Sequence, residues 1–92
     1  MENSPKTIGI IMTYNCADGV ENIYRRLPKG LLSDIILVDD GSSDNVLEIA
    51  GKLGIKAYPH EHRGYGGNIK FGLQKALDMG ADYMIEIHGD GQ

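Results

Sequence analysis

Apolar residues in this chain come in four short runs, separated by segments where they recur every three or four positions. Thr7 to Tyr14 carries Ile8, Ile10, Ile11 and Met12 and predicts a first buried strand. Asp34 to Asp39 carries Ile35-Ile36-Leu37-Val38, a continuous aliphatic run of the kind found in strands covered on both faces. Ile55 to Tyr58 predicts a short third strand ended by Pro59, and Tyr83 to Ile87 a fourth. Between them the period lengthens. Val20, Ile23, Tyr24 and Leu27 fall on one helical face after Asp18, and Pro28 with Gly30 stops that helix. Val46, Ile49, Ala50 and Leu53 define a second helix, with Asp44 as its cap and Gly54 as its close. Ile69, Leu73, Ala76 and Leu77 define a third, predicted over Asn68 to Met79, with Gly80 at its end.

Strand and helix alternate with short connections. That pattern predicts an α/β fold, a Rossmann-like parallel sheet with right-handed crossovers and helices on both faces. No internal repeat, low-complexity tract or linker interrupts it, so the 92 residues form one domain or part of one. A chain of this length buries about 60–68% of its unfolded surface, enough for a modest core.

Charge and cysteine content narrow the function classes. A formal net charge of −4, with no Lys/Arg block, argues against a nucleic-acid partner. One cysteine, Cys16, cannot form an internal disulfide, which fits a reducing, cytoplasmic compartment. No apolar stretch is long enough to span a membrane, and Met1-Glu2-Asn3-Ser4-Pro5-Lys6 does not read as a signal peptide.

Chemistry concentrates where the strands end. In a parallel sheet the carboxyl ends of strands one, two and four open on the same edge, where ligands gather. After the first strand stand Thr13-Tyr14-Asn15, an aromatic able to stack on a planar ring beside an amide. After the second stands Val38-Asp39-Asp40-Gly41-Ser42-Ser43-Asp44. A helix entry accounts for the serines and Asp44, with both acids bonded to backbone amides. Two adjacent carboxylates repel unless something donates to them, and a ligand N–H, a ribose hydroxyl or a cation would do so; Asp40 is the expected ligand group. After the fourth strand comes His88-Gly89-Asp90-Gly91-Gln92, alternating ligands with glycines between them. Carboxylate and amide oxygens suit Mg²⁺ or Mn²⁺, and an imidazole tilts the choice toward Mn²⁺.

Three further features carry less. Arg63-Gly64-Tyr65-Gly66-Gly67-Asn68 looks like a phosphate-cradling loop, with Arg63 and Lys70 near a diphosphate. It matches neither the dinucleotide fingerprint, since Ile69 replaces its third glycine, nor a P-loop. His60-Glu61-His62 has metal-like spacing but no further ligands, and fits a solvated loop better. Nothing marks Cys16 as a nucleophile.

Taken in order, Ile11-Met12-Thr13-Tyr14-Asn15, Val38-Asp39-Asp40-Gly41-Ser42-Ser43-Asp44, Gly64-Tyr65-Gly66-Gly67 and His88-Gly89-Asp90-Gly91-Gln92 resemble the amino-terminal half of a family 2 glycosyltransferase. The similarity points to the polyprenyl-phosphate or dolichyl-phosphate mannosyl- and glucosyltransferase branch, and it runs over nearly the whole chain. It implies the nucleotide-binding half of a GT-A fold, with residues 1–92 a nucleotide-sugar-binding half-domain cut off at the metal motif. It further implies that Tyr14 and the Thr13 backbone line the base, that Asp40 hydrogen-bonds it, and that Val38 makes a backbone contact. Gly89 would sit against the ribose and diphosphate, with Asp90 and Gln92 as metal ligands and Asp90 also on the nucleotide. His88 stands where the family has an aspartate, and Cys16 where the mannosyltransferase branch has a glutamate.

The resemblance therefore implies the donor-binding part of an inverting glycosyltransferase. It would act with Mg²⁺ or Mn²⁺ on a nucleoside diphosphate sugar, toward an acceptor such as a polyprenyl phosphate at the inner face of a membrane. No general base is identified, and the fragment is expected to be inactive alone. With later elements missing, an uncovered apolar edge would favour a homodimer. The alternative is a non-catalytic α/β binding or receiver-like signalling module. The paired aspartates suit it, but Pro59-His60 stands where a receiver carries its phosphoacceptor aspartate. A nucleotidyltransferase would need a Gly-rich loop directly after the first strand, which this chain lacks.

Overall fold

A computed structural model describes residues 5–89. Four strands, β1 (Thr7–Thr13), β2 (Asp34–Asp39), β3 (Lys56–Pro59) and β4 (Tyr83–His88), form one sheet in the order β3-β2-β1-β4, every pair parallel. The two most continuously apolar strands take the centre, in register through Ile10 opposite Ile36 and Met12 opposite Val38. The strands that carry Lys56 and Glu86 take the edges.

Helices α1 (Ala17–Arg26) and α2 (Val46–Leu53) cover one face and α3 (Gly64–Asp78) the other. Alternate strand residues feed the two cores. Ile11 and Leu37 pack with Ala17, Val20, Val46 and Ala50, while Ile8, Ile10, Met12, Ile36 and Val38 pack with Ala76. Gly72 lets α3 lie close on the sheet, since a β-carbon there would stand 2.8 Å from Ile10 Cγ2. Leu77 does not join this face and is 55% exposed.

β1, β2 and β3 step outward in one direction, and α3 then carries the chain back past β2 and β1 to β4. The winding reverses between β1 and β4, which is where open α/β sheets leave a crevice. β4 is also the expected uncovered apolar edge, with Tyr83 and Ile85 exposed. Among the described residues, no helix is long and apolar enough to cross a membrane.

Element boundaries depart from the expected ones in an informative way. α1 has Cys16, not Asp18, at its N-cap position, and Asp18 sits in the first turn, where an acid complements the helix dipole. Asn45 takes that position for α2, while Asp44 bridges two helices, accepting the Val46 N–H at 3.2 Å and the α1 Ala17 N–H at 3.0 Å. Gly54 closes α2 in the left-handed conformation, as expected. The largest shift is in α3, which begins at Gly64 rather than Asn68. The glycine cluster is therefore the helix's first turn and not a cradle loop.

Candidate functional site

The crevice beside β1 is a cleft of about 230 Å³. Its walls come from three strand ends: Thr13 and Tyr14 after β1, Asp40 after β2, and His88 with Gly89 after β4. The first turn of α3 adds Gly64, Tyr65 and Asn68, and Cys16 and His62 complete the rim.

The loops after β1 and β2 are stitched together by Asp39. The Thr13 hydroxyl donates to its Oδ1 at 2.7 Å, the Ser42 N–H donates to Oδ2 at 2.9 Å, and the Ser42 hydroxyl also donates to Oδ1. Asn15, in the left-handed region with φ of 52°, donates its N–H to Ser42 Oγ and accepts the Ser43 N–H on Oδ1, both at 2.8 Å. Asn tolerates that conformation better than most residues. Asp39 is 2% exposed, so its carboxylate is a structural hub.

Asp40 is equally enclosed, at 3% exposure, yet it reaches a different element. Its Oδ1 accepts the Arg63 N–H at 2.7 Å and its Oδ2 the Gly64 N–H at 2.9 Å, so it caps α3 from across the sheet. His62 Nδ1 lies 2.8 Å from Oδ2, and His60 Nδ1 3.6 Å from Oδ1. The adjacent acids therefore need no external donor to coexist: a serine turn and a helix N-terminus supply the positive potential.

His60 is not in a solvated loop. Its side chain is buried, tilted against Phe71, with Nε2 2.7 Å from Asn68 Oδ1. The Asn68 amide in turn donates to the Val38 carbonyl at 3.2 Å. Val38, the expected backbone contact, is not among the described residues lining the cleft. His62 instead stacks on Tyr14, ring centroids 4.5 Å apart. The two imidazoles thus both lie beside Asp40 but differ in their other partners. Among the described residues no three His, Cys, Asp or Glu side chains are grouped to hold a metal ion.

On the opposite wall, His88 stacks parallel to Tyr65 with centroids 5.7 Å apart, and the Tyr65 hydroxyl donates to Glu86 at 3.1 Å. That hydrogen bond, with lesser contributions from burial and from the carboxylate's charge, raises the phenol above its ordinary value. Gly89 is buried against β1. Its N–H donates to the Met12 carbonyl at 2.8 Å, and a β-carbon there would fall 2.7 Å from that oxygen and 3.0 Å from Cys16 Sγ. Asp90 and Gln92 lie outside the described residues.

The structure therefore brings Thr13, Tyr14, Asp40, His88 and Gly89 to one cleft. The pattern of the chain did not single out Asn68, or give His62 and Tyr65 their places. The available signal was that a polar Asn directly after paired glycines stands on the apolar face of the following helix, where only a bonded side chain is tolerated.

Comparison with known proteins bears on the same region. The glycosyl transferase family 2 model matches residues 10–92. A UDP-N-acetylglucosamine–dolichyl-phosphate N-acetylglucosaminyltransferase of Methanococcus voltae is 33% identical over 101 residues, covering 90% of this chain and 40% of its own length. An uncharacterized protein of Methanocaldococcus jannaschii is 31% identical over 91 residues, covering 98% of this chain and 37% of its own. The chain thus spans about two fifths of the length of the curated relatives it matches.

Proposed function

The chain belongs to glycosyl transferase family 2, and from that premise we propose that it is the donor-binding part of an inverting glycosyltransferase. The observation that carries this reading is the convergence of Tyr14, Asp40 and Gly89 from three strand ends on one cleft at the winding reversal. Membership in the family leaves the receiver-like alternative without support.

In this reading a nucleobase stacks on Tyr14 and donates an N–H to Asp40, while the diphosphate passes Gly89, whose lack of a side chain lets the end of β4 lie close against β1. His88, the one named metal donor within the described residues, lines the cleft with its imidazole, a chemistry compatible with Mn²⁺ or Mg²⁺ beside the Asp90 and Gln92 that follow it. A divalent ion bound there would neutralise charge on the departing nucleoside diphosphate. Thr13 and Asp39 contribute rigidity: they lock the β1 and β2 ends so that Tyr14 and Asp40 keep their spacing.

The relative's name supports a uridine nucleotide and a polyprenyl-phosphate-type acceptor, which would bring the reaction to a membrane surface. Acceptor binding and its activation are assigned to the part of the relatives beyond the matched region, and the present chain alone is proposed to bind donor without turnover.

Isothermal titration with UDP and with GDP, each with and without Mn²⁺, tests the reading. We expect UDP binding that Mn²⁺ strengthens and that Tyr14→Ala weakens by about tenfold, the loss of one aromatic stack. Absence of binding under all four conditions would reject the donor site.

A further inference from the structure

We propose that the His62 imidazole occupies the nucleobase position, so that donor binding must displace it. The inference rests on the donor-site reading of Tyr14 and Asp40.

The base position is defined by two contacts: a planar ring on Tyr14 and a ring N–H on Asp40. His62 makes both. Its ring lies on Tyr14 at 4.5 Å and 27°, within the range of an offset stack. Its Nδ1 is 2.8 Å from Asp40 Oδ2 and 3.2 Å from the Asp40 carbonyl. Both of those partners are acceptors, so Nδ1 carries the hydrogen and donates it.

Each carboxylate oxygen already accepts a backbone N–H, and the side chain that meets Asp40 from the cleft is His62. Oδ1 accepts Arg63 N–H and has His60 beside it, and Oδ2 accepts Gly64 N–H in addition to His62. An incoming base N–H can reach Asp40 where His62 Nδ1 now stands, and stack where its ring now lies. His62 itself is free to leave, since its side chain is 56% exposed while that of Asp40 is 4% exposed. The backbone beneath it is not free. Gly41, with φ of +76°, lies against this segment so closely that a β-carbon would stand 2.8 Å from the His62 N. Release is therefore a rotation of the His62 side chain, with Arg63 and Gly64 still bonded to Asp40. The ring then serves as a polar stopper that keeps Asp40 paired and Tyr14 covered until a base replaces it.

UDP titrations of the wild-type chain, His62→Ala and a Tyr14→Ala/His62→Ala double variant, together with nitrogen-15 spectra of the histidine rings, test this. If the stoppered form holds about nine tenths of the population, His62→Ala binds UDP roughly tenfold more tightly. In the wild type, the hydrogen-bonded Nδ1 signal of His62 should disappear as UDP saturates. Unchanged or weaker binding by His62→Ala, or an Nδ1 signal that persists in the complex, overturns the displacement and leaves the donor site standing. A Tyr14→Ala/His62→Ala double variant that binds UDP as tightly as His62→Ala overturns the donor-site reading itself. No UDP binding by any variant overturns both.

Discussion

The carboxyl ends of β2 and β4 are written in similar language, an apolar strand followed by polar residues and a glycine, yet the fold uses them in opposite ways. After β2, Asp39 and Asp40 are almost wholly buried and every oxygen of both carboxylates accepts an internal hydrogen bond. At the end of β4, the His88 side chain is exposed and rests in a stack on Tyr65. The difference follows from sheet position. β2 is central, and β1, the serine turn and the start of α3 bring donors to its end; β4 is the edge strand next to the winding reversal, so its end meets the cleft. A carboxylate beside a binding cleft can thus be part of the frame first. It reaches a ligand only through what its internal partners leave over.

The sharpest way to break this contrast is to remove one side chain from each end. Asp40→Ala strips the cap from α3 and leaves the Arg63 and Gly64 N–H groups unpaired, a loss of about 3 kcal/mol. His88→Ala removes an exposed stack and should cost less than about 1 kcal/mol. Urea denaturation of both variants measures the difference. Equal midpoints would mean that Asp40 is not a structural cap. Large destabilisation by Asp40→Ala would also mean that its loss of nucleotide binding cannot be assigned to a missing ligand contact alone. Tyr14→Ala is the cleaner probe because Tyr14 is 48% exposed.

The glycines at the two ends sharpen the comparison. Gly41 is required twice over, by its φ of +76° and by the backbone of His62 at 2.8 Å. Gly89 is required by approach alone, its absent β-carbon leaving room for the Met12 carbonyl. Alanine at position 41 should cost about 2–3 kcal/mol and displace the His60-to-Gly64 segment, whereas alanine at 89 should cost about 1–2 kcal/mol as β4 shifts away from β1. Thermal unfolding gives the stabilities. Amide exchange in α3 for the first variant and β4 for the second shows where each strain falls.

Much of this architecture was legible in the chain because strands and helices carry different hydrophobic periods. β2 matches its expected bounds, β1 ends one residue sooner, and β4 runs on through His88. The misreadings share a cause. The start of α3 was hidden because its cap, Asp40, lies 24 residues from Gly64 in sequence, and local pattern shows only the glycines. Asp44 looked like a cap for the helix beside it, and only tertiary packing brings its carboxylate to Ala17 of α1. His60 and His62 look equivalent in sequence, but a buried Asn68 captures one and Tyr14 the other. The strand ends that form the cleft could be named from order and parallelism. The internal partners of each polar group could not, because they depend on which helix crosses which face.

The smallest expected effect concerns how firmly the β4 end is held. Tyr65 joins α3 to β4 by donating its hydroxyl to Glu86, and that bond is the main reason its phenol is raised above 10.0. A phenol raised in the fold contributes stability that is present in full below its unfolded value and fades as pH climbs through the folded one. The link should therefore hold at neutral pH and loosen only in alkali. In an ultraviolet titration of tyrosinate, Tyr65→Phe should remove a late-titrating component, and Glu86→Gln should move that component to lower pH. His88, whose stacking partner loses its anchor to Glu86 in Tyr65→Phe, should show a shifted ring resonance at neutral pH. Asp40 lies outside this pairing, so the amide signals of Arg63 and Gly64 should barely move. Were they to move as much as His88, the two strand ends would be coupled through α3, and the division between a buried frame and an open cleft wall would have to be redrawn.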